Sequence, residues 1–488
     1  MDVKPDSKAY NHLGSSSDQS AADGTHPSPS QEGIGSAQFP FSVGEQGWVW
    51  FAVLSFAGCR AEPDLSLTNE SPPLVSGPSS SGLSPVPGAN ITLNCRMNLS
   101  ASFQIDPRAP WVEEHNREVR EVWAAFDAGR PIRVPVIFSG ARILYLSENQ
   151  VDYRTYYEDP DEMFRLQLEW QRRERELPLG DTILGEAPES WSVSVDFHPV
   201  ASATCFGCPV MFRPDAVPAH ESMHLSREQC RKLSLPDTIG SGLLPRHRAF
   251  SDHFDRLCAN GRTFLGRPVQ RTKPTLPSTG GGIFSTALDI RGAEIMSDMY
   301  EDAAFVHWFL EQIAEWRFDL HRTWSRLDGM EYWLDQPGDG TIEITDHGID
   351  MLSPELYDRF LAALILKIAR RYDKHPNTYL HHCGRGTHLF PVMRERFGLK
   401  TIHGLTWPVN DVGRVRRELG QEVSIVAVMA DTILRTTPEA IRKAARDFFT
   451  PEVKGTGRLS LWVPGEVTGI PVENYRALYA AVREYGRY

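Results

Sequence analysis

The feature of this sequence that most constrains its fold is the regular alternation, in its second half, of short apolar segments with longer amphipathic ones. Strands are predicted at 341–344, 378–380, 401–405, 423–429 and 458–463, and helices at 354–372, 388–397, 409–419, 438–449 and 472–485. Strands that alternate with helices form βα units, whose strands lie parallel in one sheet. The pattern therefore predicts an α/β structure built on a parallel sheet.

Two of these helices carry the same start signal. Ser353 and Thr437 each place a hydroxyl ahead of a proline at the first helical position and a glutamate in the first turn. Such a hydroxyl accepts a hydrogen bond from a free N–H of the first turn, and the helix dipole stabilises the glutamate. These signals place the starts of the two helices at residues 354 and 438.

Weaker patterns extend this organisation towards the N-terminus. Helices are predicted at 111–126, 159–175 and 297–326, and strands at 133–138 and 191–197. About five βα units are visible in the second half, and a chain of ~380 residues fits one (β/α)8 TIM barrel with insertions. The alternative, a doubly wound sheet, would more often carry a glycine-rich phosphate fingerprint. Because no GxGxxG follows a predicted strand, we expect no nucleotide cofactor.

Composition divides the chain into a tail and a folded region. Residues 1–104 are rich in Ser, Pro, Gly and Asp, and they contain too little apolar surface to offset the chain entropy lost on folding, so they are predicted to be a disordered tail. Residues 105–488 form the predicted barrel, and within it 209–279 is expected to be an irregular insertion or a lid. Because Met97 directly precedes the first periodic segment, one hypothesis is that translation starts there.

Charge and cysteine content indicate the compartment and the partners. The formal net charge is −12, which argues against nucleic acid or an anionic membrane as a partner. Seven cysteines, an odd number, do not suggest a disulfide framework, so a reducing, cytoplasmic location is expected. The apolar run 47–59 is shorter than the ~20 residues that span a bilayer, and it lacks the position and the basic flank of a signal peptide.

Potential metal ligands follow the predicted strand 378–380. The segment 377–387 (NTYLHHCGRGT) ends the strand with His381, His382 and Cys383. His381 and Cys383 are two residues apart, so on a strand they project to the same side, and an imidazole and a thiolate are ligands that Zn²⁺ favours. The alternative is a buried cysteine beside a hydrogen-bonded histidine. His382 points the other way and is predicted to be structural.

Two other predicted strands end in polar residues that could belong to the same site. Asp346 and His347 follow the strand 341–344, and Asp196 and His198 lie at the end of the strand 191–197. Barrel active sites form at the carboxyl ends of strands, where a carboxylate can orient a ligating histidine or act as a general base. For Asp346 the alternative is capping of the loop near Ser353.

Other polar groups are predicted to have no catalytic role. Cys205 and Cys208 form a single CxxC without a second pair, and we expect them to pack in a loop rather than bind structural zinc. His307 falls on a long predicted helix. Arg246 and Arg248 could meet an anionic substrate, although such a patch is more often a solvated surface.

Several short motifs follow one another along the chain: TALDIRG at 286–292, DMYED at 298–302, LSPE at 352–355, HHCG at 381–384, TPE at 437–439 and PVEN at 471–474. In their order and spacing the sequence resembles the uroporphyrinogen decarboxylase superfamily over roughly residues 109–488. The superfamily contains the haem-pathway decarboxylase and corrinoid-dependent, zinc-containing methyltransferases. The resemblance implies a (β/α)8 barrel enzyme, which in this family often forms a homodimer.

The methyltransferase branch implies a metal centre. There an HxC pair and a later cysteine hold zinc, which activates a thiol for methyl transfer, and His381 and Cys383 match the pair. No cysteine stands at the later position, within 463–468, and Glu466 is the nearest candidate ligand. This branch also implies a small methyl donor or a corrinoid, usually carried by a separate protein, and Asp346 would be an orienting or basic group.

The decarboxylase branch implies a different site. There an arginine-rich loop after the first strand binds the substrate's carboxylates, and an aspartate at the end of the second strand stabilises the developing pyrrole cation. Arg142 is the one arginine in the matching stretch 137–143, and Asp196 lies near the second place. Because a substrate with many carboxylates needs several Arg or Lys partners, decarboxylation of uroporphyrinogen is the second choice. Arg142, His198 and His347 are the candidate substrate-binding residues, and a non-catalytic barrel that binds a tetrapyrrole or a partner is the third possibility.

Overall fold

The computed structural model describes residues 99–488 except residues 199, 214–215, 279–280, 338–341, 343–344, 377–378 and 466–467. The apolar run 47–59, nearly all of the predicted tail and most of the predicted strand 341–344 therefore lie outside the described residues. In the described part, no helix combines the length and the apolar composition needed to cross a membrane.

Short strands form the framework of the fold. They are β1 (Val136–Phe138), β2 (Trp191–Val193), β3 (Val210–Arg213), β4 (Ala216–His220), β5 (Thr263–Phe264), β6 (Arg267–Arg271), β7 (Tyr379–His381), β8 (Thr401–Trp407), β9 (Ser424–Met429) and β10 (Leu459–Val463). Strands β1, β10, β9, β8 and β7 form one parallel sheet in that order. Strand β6 pairs parallel with β2 and antiparallel with β5, and β3 and β4 form a hairpin.

The five-stranded sheet is hydrophobic along its strands because helices cover its outer face and side chains fill the barrel interior. Every residue of β10 is buried. Leu461 of that strand lies opposite Val136 on one side and Ala427 on the other, and Leu380 of β7 lies opposite Ile402 of β8. The register of these apolar residues aligns the carboxyl ends of the strands at one edge, where a barrel carries its active site.

Helices alternate with the strands along the chain. They are α1 (Pro110–Asp127), α2 (Ala141–Glu148), α3 (Tyr153–Glu158), α4 (Pro160–Glu174), α5 (Ala201–Cys205), α6 (Arg227–Lys232), α7 (Leu244–Cys258), α8 (Ile283–Arg291), α9 (Ile295–Glu301), α10 (Ala303–Leu327), α11 (Pro354–Leu356), α12 (Ala363–Arg371), α13 (Phe390–Phe397), α14 (Val412–Leu419), α15 (Asp431–Leu434), α16 (Pro438–Phe448), α17 (Pro451–Lys454) and α18 (Val472–Tyr485). A π-helical segment, Tyr357–Ala362, joins α11 to α12.

The architecture is the predicted (β/α)8 barrel. Among the described residues, β1, β2, β6 and β7 to β10 occupy strand positions of the barrel. The amide of Ile342 donates to the carbonyl of His375 (2.8 Å), which places this residue beside the start of β7. The pairing of β1 with β10 joins the first strand to the last, which is the contact that closes a barrel.

The predicted helix 297–326 is in fact two helices that meet at Asp302. This residue has a φ of −143°, and its carboxylate accepts a hydrogen bond from the N–H of Phe305 (3.0 Å), so it ends α9 and caps α10. The apolar pattern continues through both helices, and only the capping side chain marks the break.

The region 209–279 is more regular than the sequence indicated. It contains the β3–β4 hairpin, α6, α7, β5 and β6, and Ser226 starts α6 through a capping box with Gln229. Strand β6 belongs to the barrel through its parallel pairing with β2. The sequence did not predict these short ordered elements, and the insertion or lid stays a prediction.

Two hydrophobic clusters stabilise the described residues. The larger contains the five-stranded sheet and the helices around it. The smaller includes Tyr156, Phe164 and Trp191, all almost completely buried. Because burial of apolar surface is the main favourable term in folding, the smaller cluster fixes β2, and with it the loop that carries Asp196 and His198.

Candidate active site

Three potential metal ligands converge at the carboxyl end of the barrel strands. His381 is the last residue of β7, Cys383 follows two residues later, and His347 follows the segment around Ile342. One ligand atom from each lies within 4.8 Å of the others, and the Sγ of Cys383 is 3.4 Å from the Nδ1 of His347. This histidine–cysteine trio thus contains the pair expected to share an ion, together with His347, which the sequence had suggested only as a substrate-binding residue.

The chemistry and the spacing of the trio fit a Zn²⁺ ion. Tetrahedral bonds of ~2.3 Å to sulfur and ~2.0 Å to nitrogen place a sulfur ligand and a nitrogen ligand about 3.5 Å apart. The separation of 3.4 Å between Cys383 and His347 is close to that value. Since the widest ligand separation is at most 4.8 Å, a side-chain shift of roughly 1 Å completes a tetrahedral arrangement.

Burial keeps both imidazoles of the trio neutral. It lowers the pKa of His347 to about 3, with smaller contributions from His382 and His198. It also holds the pKa of His381 well below its ordinary value, and the neighbouring ring of His403 adds to this effect. A neutral imidazole has a free lone pair on one nitrogen, which is the form that binds a metal.

His403 is a functional candidate that the sequence did not indicate. It lies opposite His381 in the pairing of β8 with β7, and the Nδ1 atoms of the two rings are 2.6 Å apart, so one ring donates a hydrogen bond to the other. Its ring also packs against Trp462, with the ring centroids 4.8 Å apart. The contact fixes the orientation of the His381 ring, and with the Nδ1 of His381 as the donor a metal would bind through its Nε2. Within the predicted strand 401–405, His403 is simply one more buried position, so no local signal marks it.

A β-bulge at Gly404 gives His403 its position. The register of β8 against β9 shifts between His403 and Leu405, and Gly404 has a φ of +85°. A Cβ at residue 404 would lie 3.0 Å from the Cε1 of His381. A bulge re-aims the side chains beside it, and here only glycine permits both the backbone conformation and the close approach.

Asp346 and His382 connect the loops that carry the trio. The Asp346 carboxylate accepts hydrogen bonds from the N–H groups of Phe284 (2.6 Å) and Ser285 (3.1 Å) at the start of α8, and its backbone carbonyl lies 3.2 Å from the Nδ1 of His382. Burial raises the pKa of Asp346 to about 6, although these donors oppose that effect. The contacts favour an orienting role for Asp346 and a structural role for His382.

Asp196, Arg142 and His198 lie together at the end of β2. The Asp196 carboxylate accepts hydrogen bonds from the hydroxyl of Tyr156 (3.1 Å) and the N–H of His198 (3.1 Å), and it lies 3.5 Å from the Arg142 guanidinium. Burial lowers the pKa of His198 to about 4. His198 is also close enough to His347 and His381 to lower their pKa values, so this group and the trio belong to one region.

A cavity of about 610 Å³ is lined by the second group and by His403, which contacts His381, although no member of the trio is among its described lining residues. Its inner wall includes Arg142, Asp196, His198, His403 and Trp462. His198 and His403 therefore form the part of the wall nearest the trio. A volume of this size accommodates a drug-sized ligand.

The cavity wall carries charges of both signs. Its cationic side chains are Arg120, Arg142 and Arg175, and its carboxylates are Asp127, Glu174, Asp181 and Asp196. Arg142 is already paired with Asp196. The described wall therefore presents no excess of positive charge to a ligand.

No other sequence candidate in the described residues belongs to this cluster. Glu466 lies outside the described residues, so its role as a third ligand stays a prediction. Burial raises the pKa of the Cys205 and Cys208 thiols to about 12, which disfavours the thiolate that would bind a metal. Arg248 pairs with Asp252 on its own helix (3.1 Å), in line with a surface role.

A parallel barrel with a cavity and potential metal ligands at the carboxyl ends of its strands has the arrangement of a TIM-barrel enzyme. Residues 120–485 match the family model described as uroporphyrinogen decarboxylase (URO-D), and the chain belongs to this family. The fold and the site thus define an enzyme of the URO-D superfamily.

Comparisons with individual proteins give weaker similarity. Uroporphyrinogen decarboxylases from three strains of Coxiella burnetii are 33% identical over 82 residues, which is 17% of this chain and 22% of each relative. The match thus spans about a fifth of the length of these curated relatives. A solved structure of a methyltransferase from Methanosarcina mazei has a TM-score of 0.50 and 16% identity, covering 75% of this chain and 98% of that chain. That similarity supports the barrel fold.

Proposed function

We propose that this URO-D family enzyme transfers a methyl group between a small methyl donor or a corrinoid and a thiol, with the assistance of zinc. The observation that carries the proposal is the convergence of two neutral imidazoles and a thiol in the histidine–cysteine trio. His347, His381 and Cys383 would hold the ion. Zinc bound there would lower the pKa of a coordinated thiol, so that the thiolate is the reacting form near neutral pH.

The surrounding side chains hold the ligands in position before a substrate arrives. His403 fixes the His381 ring through the contact of 2.6 Å. The N–H of His347 donates to the carbonyl of Gly281 (2.7 Å), next to the helix start that Asp346 caps. A centre that is positioned in advance does not have to reorganise during the reaction, which is the main source of electrostatic catalysis.

The cavity would bind the methyl donor or the acceptor. Arg142, held by Asp196, gives its wall one polar anchor, and the imidazole of His198 gives another. The apolar faces of Trp462 and Phe197 exclude water from the same wall. If the methyl group comes from a corrinoid, we expect a separate protein to carry the corrinoid. Independently of the donor, we expect the enzyme to be a homodimer.

Decarboxylation of uroporphyrinogen or a related tetrapyrrole is the second candidate, because Asp196 lies in the cavity wall and the curated relatives carry that name. The balance of charges weighs against it. A substrate with several carboxylates needs guanidinium or ammonium partners, and the described wall carries three arginines and four carboxylates. A barrel that binds a tetrapyrrole without turnover is a third candidate with the same requirement.

The test is a zinc measurement combined with a methyl-transfer assay. Protein purified without chelator is expected to contain about one zinc per chain, lost in Cys383→Ser and retained in Cys258→Ser, which alters a thiol on α7 away from the trio. With methylcobalamin as donor and a panel of small thiols as acceptors, the wild type and Cys258→Ser are expected to form methyl thioethers, and Cys383→Ser is not.

The opposite results would discriminate the alternatives. Zinc-free protein that releases carbon dioxide from uroporphyrinogen would establish the decarboxylase and overturn the proposal. Tight tetrapyrrole binding with neither zinc nor turnover would establish the binding protein. Zinc that is retained in Cys383→Ser would show that the trio is not its site.

A further inference from the structure

The barrel has an open seam between β1 and β2. In the described residues, β1 pairs only with β10 and β2 pairs only with β6, so each is the edge of its own sheet. Consecutive strands of a (β/α)8 barrel normally pair, because closure is what removes the unpaired edges. The backbone N–H and carbonyl groups at both edges of the seam therefore require other hydrogen-bond partners.

Asp181 satisfies the edge of β1. The N–H of Val136 donates to its Oδ2 (2.7 Å), and the N–H of Asp181 donates to the carbonyl of Val136 (2.8 Å). The carboxylate is itself held by the Arg133 guanidinium (2.6 and 2.8 Å) and by the hydroxyl of Tyr479 (2.8 Å). This buried aspartate thus takes the place that a neighbouring strand would occupy.

Two glutamines of α4 satisfy the edge of β2. The Nε2 of Gln167 donates to the carbonyl of Ser194 (2.6 Å), and its Oε1 accepts from the N–H of Ser194 (2.9 Å). The Nε2 of Gln171 donates to the carbonyl of Ser192 (2.9 Å). These contacts also explain why the predicted strand 191–197 ends at Val193.

The open seam is therefore a stable part of the fold. A buried backbone group without a partner costs about 1–3 kcal/mol. Here the N–H and the carbonyl of Val136 are bonded to Asp181, those of Ser194 to Gln167, and the carbonyl of Ser192 to Gln171. Closing the seam would break these bonds in order to form others.

The cavity described above extends through this seam. Besides the wall near His403, its lining includes Val136 and Ile137 of β1, Trp123 of α1 and Trp170 of α4. Its outer end lies between α1 and α4, where Ala124 is exposed. The cavity is thus a passage from the carboxyl end of the barrel to its flank, with largely apolar walls.

We propose that this seam channel binds the elongated, apolar part of a small-molecule ligand whose polar end lies at His198 and His403. The charges at the outer end, on Arg120, Asp127, Glu174 and Arg175, are of both signs, and this favours an uncharged tail over an anionic or cationic one. That the polar end is the reacting end rests on the proposed function. The channel itself does not.

The test uses the full chain, the neutral apolar dye N-phenyl-1-naphthylamine, and linear alcohols of six to ten carbons that displace it. Transfer of each methylene into the channel stabilises the complex by about 0.8 kcal/mol, so the Kd of the alcohols is expected to fall about fourfold per carbon. In Ala124→Trp, which places a large side chain over the outer opening, the affinity for decanol is expected to fall at least tenfold. Glu121→Trp introduces the same side chain at an exposed position of α1 outside the channel and is expected to behave as wild type.

Ile183→Trp introduces a large side chain at another lining residue of the channel and is expected to lower the affinity for decanol as Ala124→Trp does. Agreement of the two variants guards against a purely local effect of the first. Alcohols that do not displace the dye, or that bind Ala124→Trp as tightly as Glu121→Trp, would overturn the proposal. Because no methyl donor, thiol or zinc takes part, a failure of methyl transfer would leave this result unaffected.

Discussion

Gly404→Ala is the sharpest test of how the metal centre is positioned. The glycine has a φ of +85° and lies at the bulge of β8 that carries His403. An added Cβ would lie 3.0 Å from the Cε1 and 3.2 Å from the Nδ1 of His381. Unstrained carbon contacts are ~3.5–4.0 Å long, so the imidazole has to move by several tenths of an ångström.

Two effects of different size are expected. The left-handed backbone conformation costs an alanine roughly 1–2 kcal/mol, which lowers the free energy of unfolding. Displacement of the His381 ring also weakens its contact with His403, and loss of such supporting contacts typically costs 10–100-fold in metal affinity. Gly404→Ala is therefore expected to be modestly less stable and to bind zinc at least tenfold more weakly.

Gly398→Ala is the matched control. Gly398 ends α13 with a φ of +66°, and a Cβ added there meets nothing within 4 Å. Urea unfolding is expected to show a similar loss of stability in both variants, whereas zinc affinity, measured by competition with a chelator, falls only in Gly404→Ala. Equal zinc affinity in the two variants would refute the argument that the bulge at Gly404 places His381.

Two further predictions concern stability. Asp181→Ala leaves the buried Arg133 guanidinium without its bidentate partner and is expected to lower the free energy of unfolding by about 3–5 kcal/mol, whereas Glu186→Ala, at an exposed ion pair, costs less than about 1 kcal/mol in the same urea titration. His247→Phe is expected to stabilise the protein, because in the described part of the chain neither ring nitrogen has a hydrogen-bond partner and the ring packs against Trp324. Burial lowers the pKa of His247 to about 3, so below pH 6.5 the unfolded chain takes up a proton that the folded chain does not. The free energy of unfolding therefore decreases as the pH is lowered. At pH 5.5 the gain in His247→Phe is expected to exceed its gain at pH 7.5 by ~1.4 kcal/mol, and an equal gain at both pH values would contradict this.

The barrel was predictable because local physics repeats in every βα unit. The capping signals were accurate: the Ser353 hydroxyl accepts from the N–H of Leu356 (3.2 Å), and the Thr437 hydroxyl accepts from the N–H of Ala440 (3.3 Å). Each depends only on residues within one turn. The break at Asp302 escaped because the apolar period continues across it, although the same capping chemistry was present in the sequence.

The site was predictable only where its residues adjoin one strand end. His381 and Cys383 are neighbours in sequence, and the period of a strand places them on one side. His403 joins them through the register of β8 against β7 and the bulge at Gly404, and His347 joins them from a loop, where its N–H donates to the carbonyl of Gly281. Glu466 was chosen by position in the family pattern, whereas the third donor found in the described residues comes from a different strand end.

With His347 in place of a second thiolate, the proposed centre has a different charge. Zn²⁺ with one imidazole and two thiolates has no net charge, whereas Zn²⁺ held by His347, His381 and Cys383 keeps one positive charge. The extra charge lowers the pKa of a coordinated thiol further, but the nucleophilicity of a thiolate also falls as its pKa falls. The trio therefore favours deprotonation of the acceptor thiol at the expense of its reactivity. Such a centre suits a donor with a good leaving group, such as a methyl-corrinoid, better than an unactivated methyl ether.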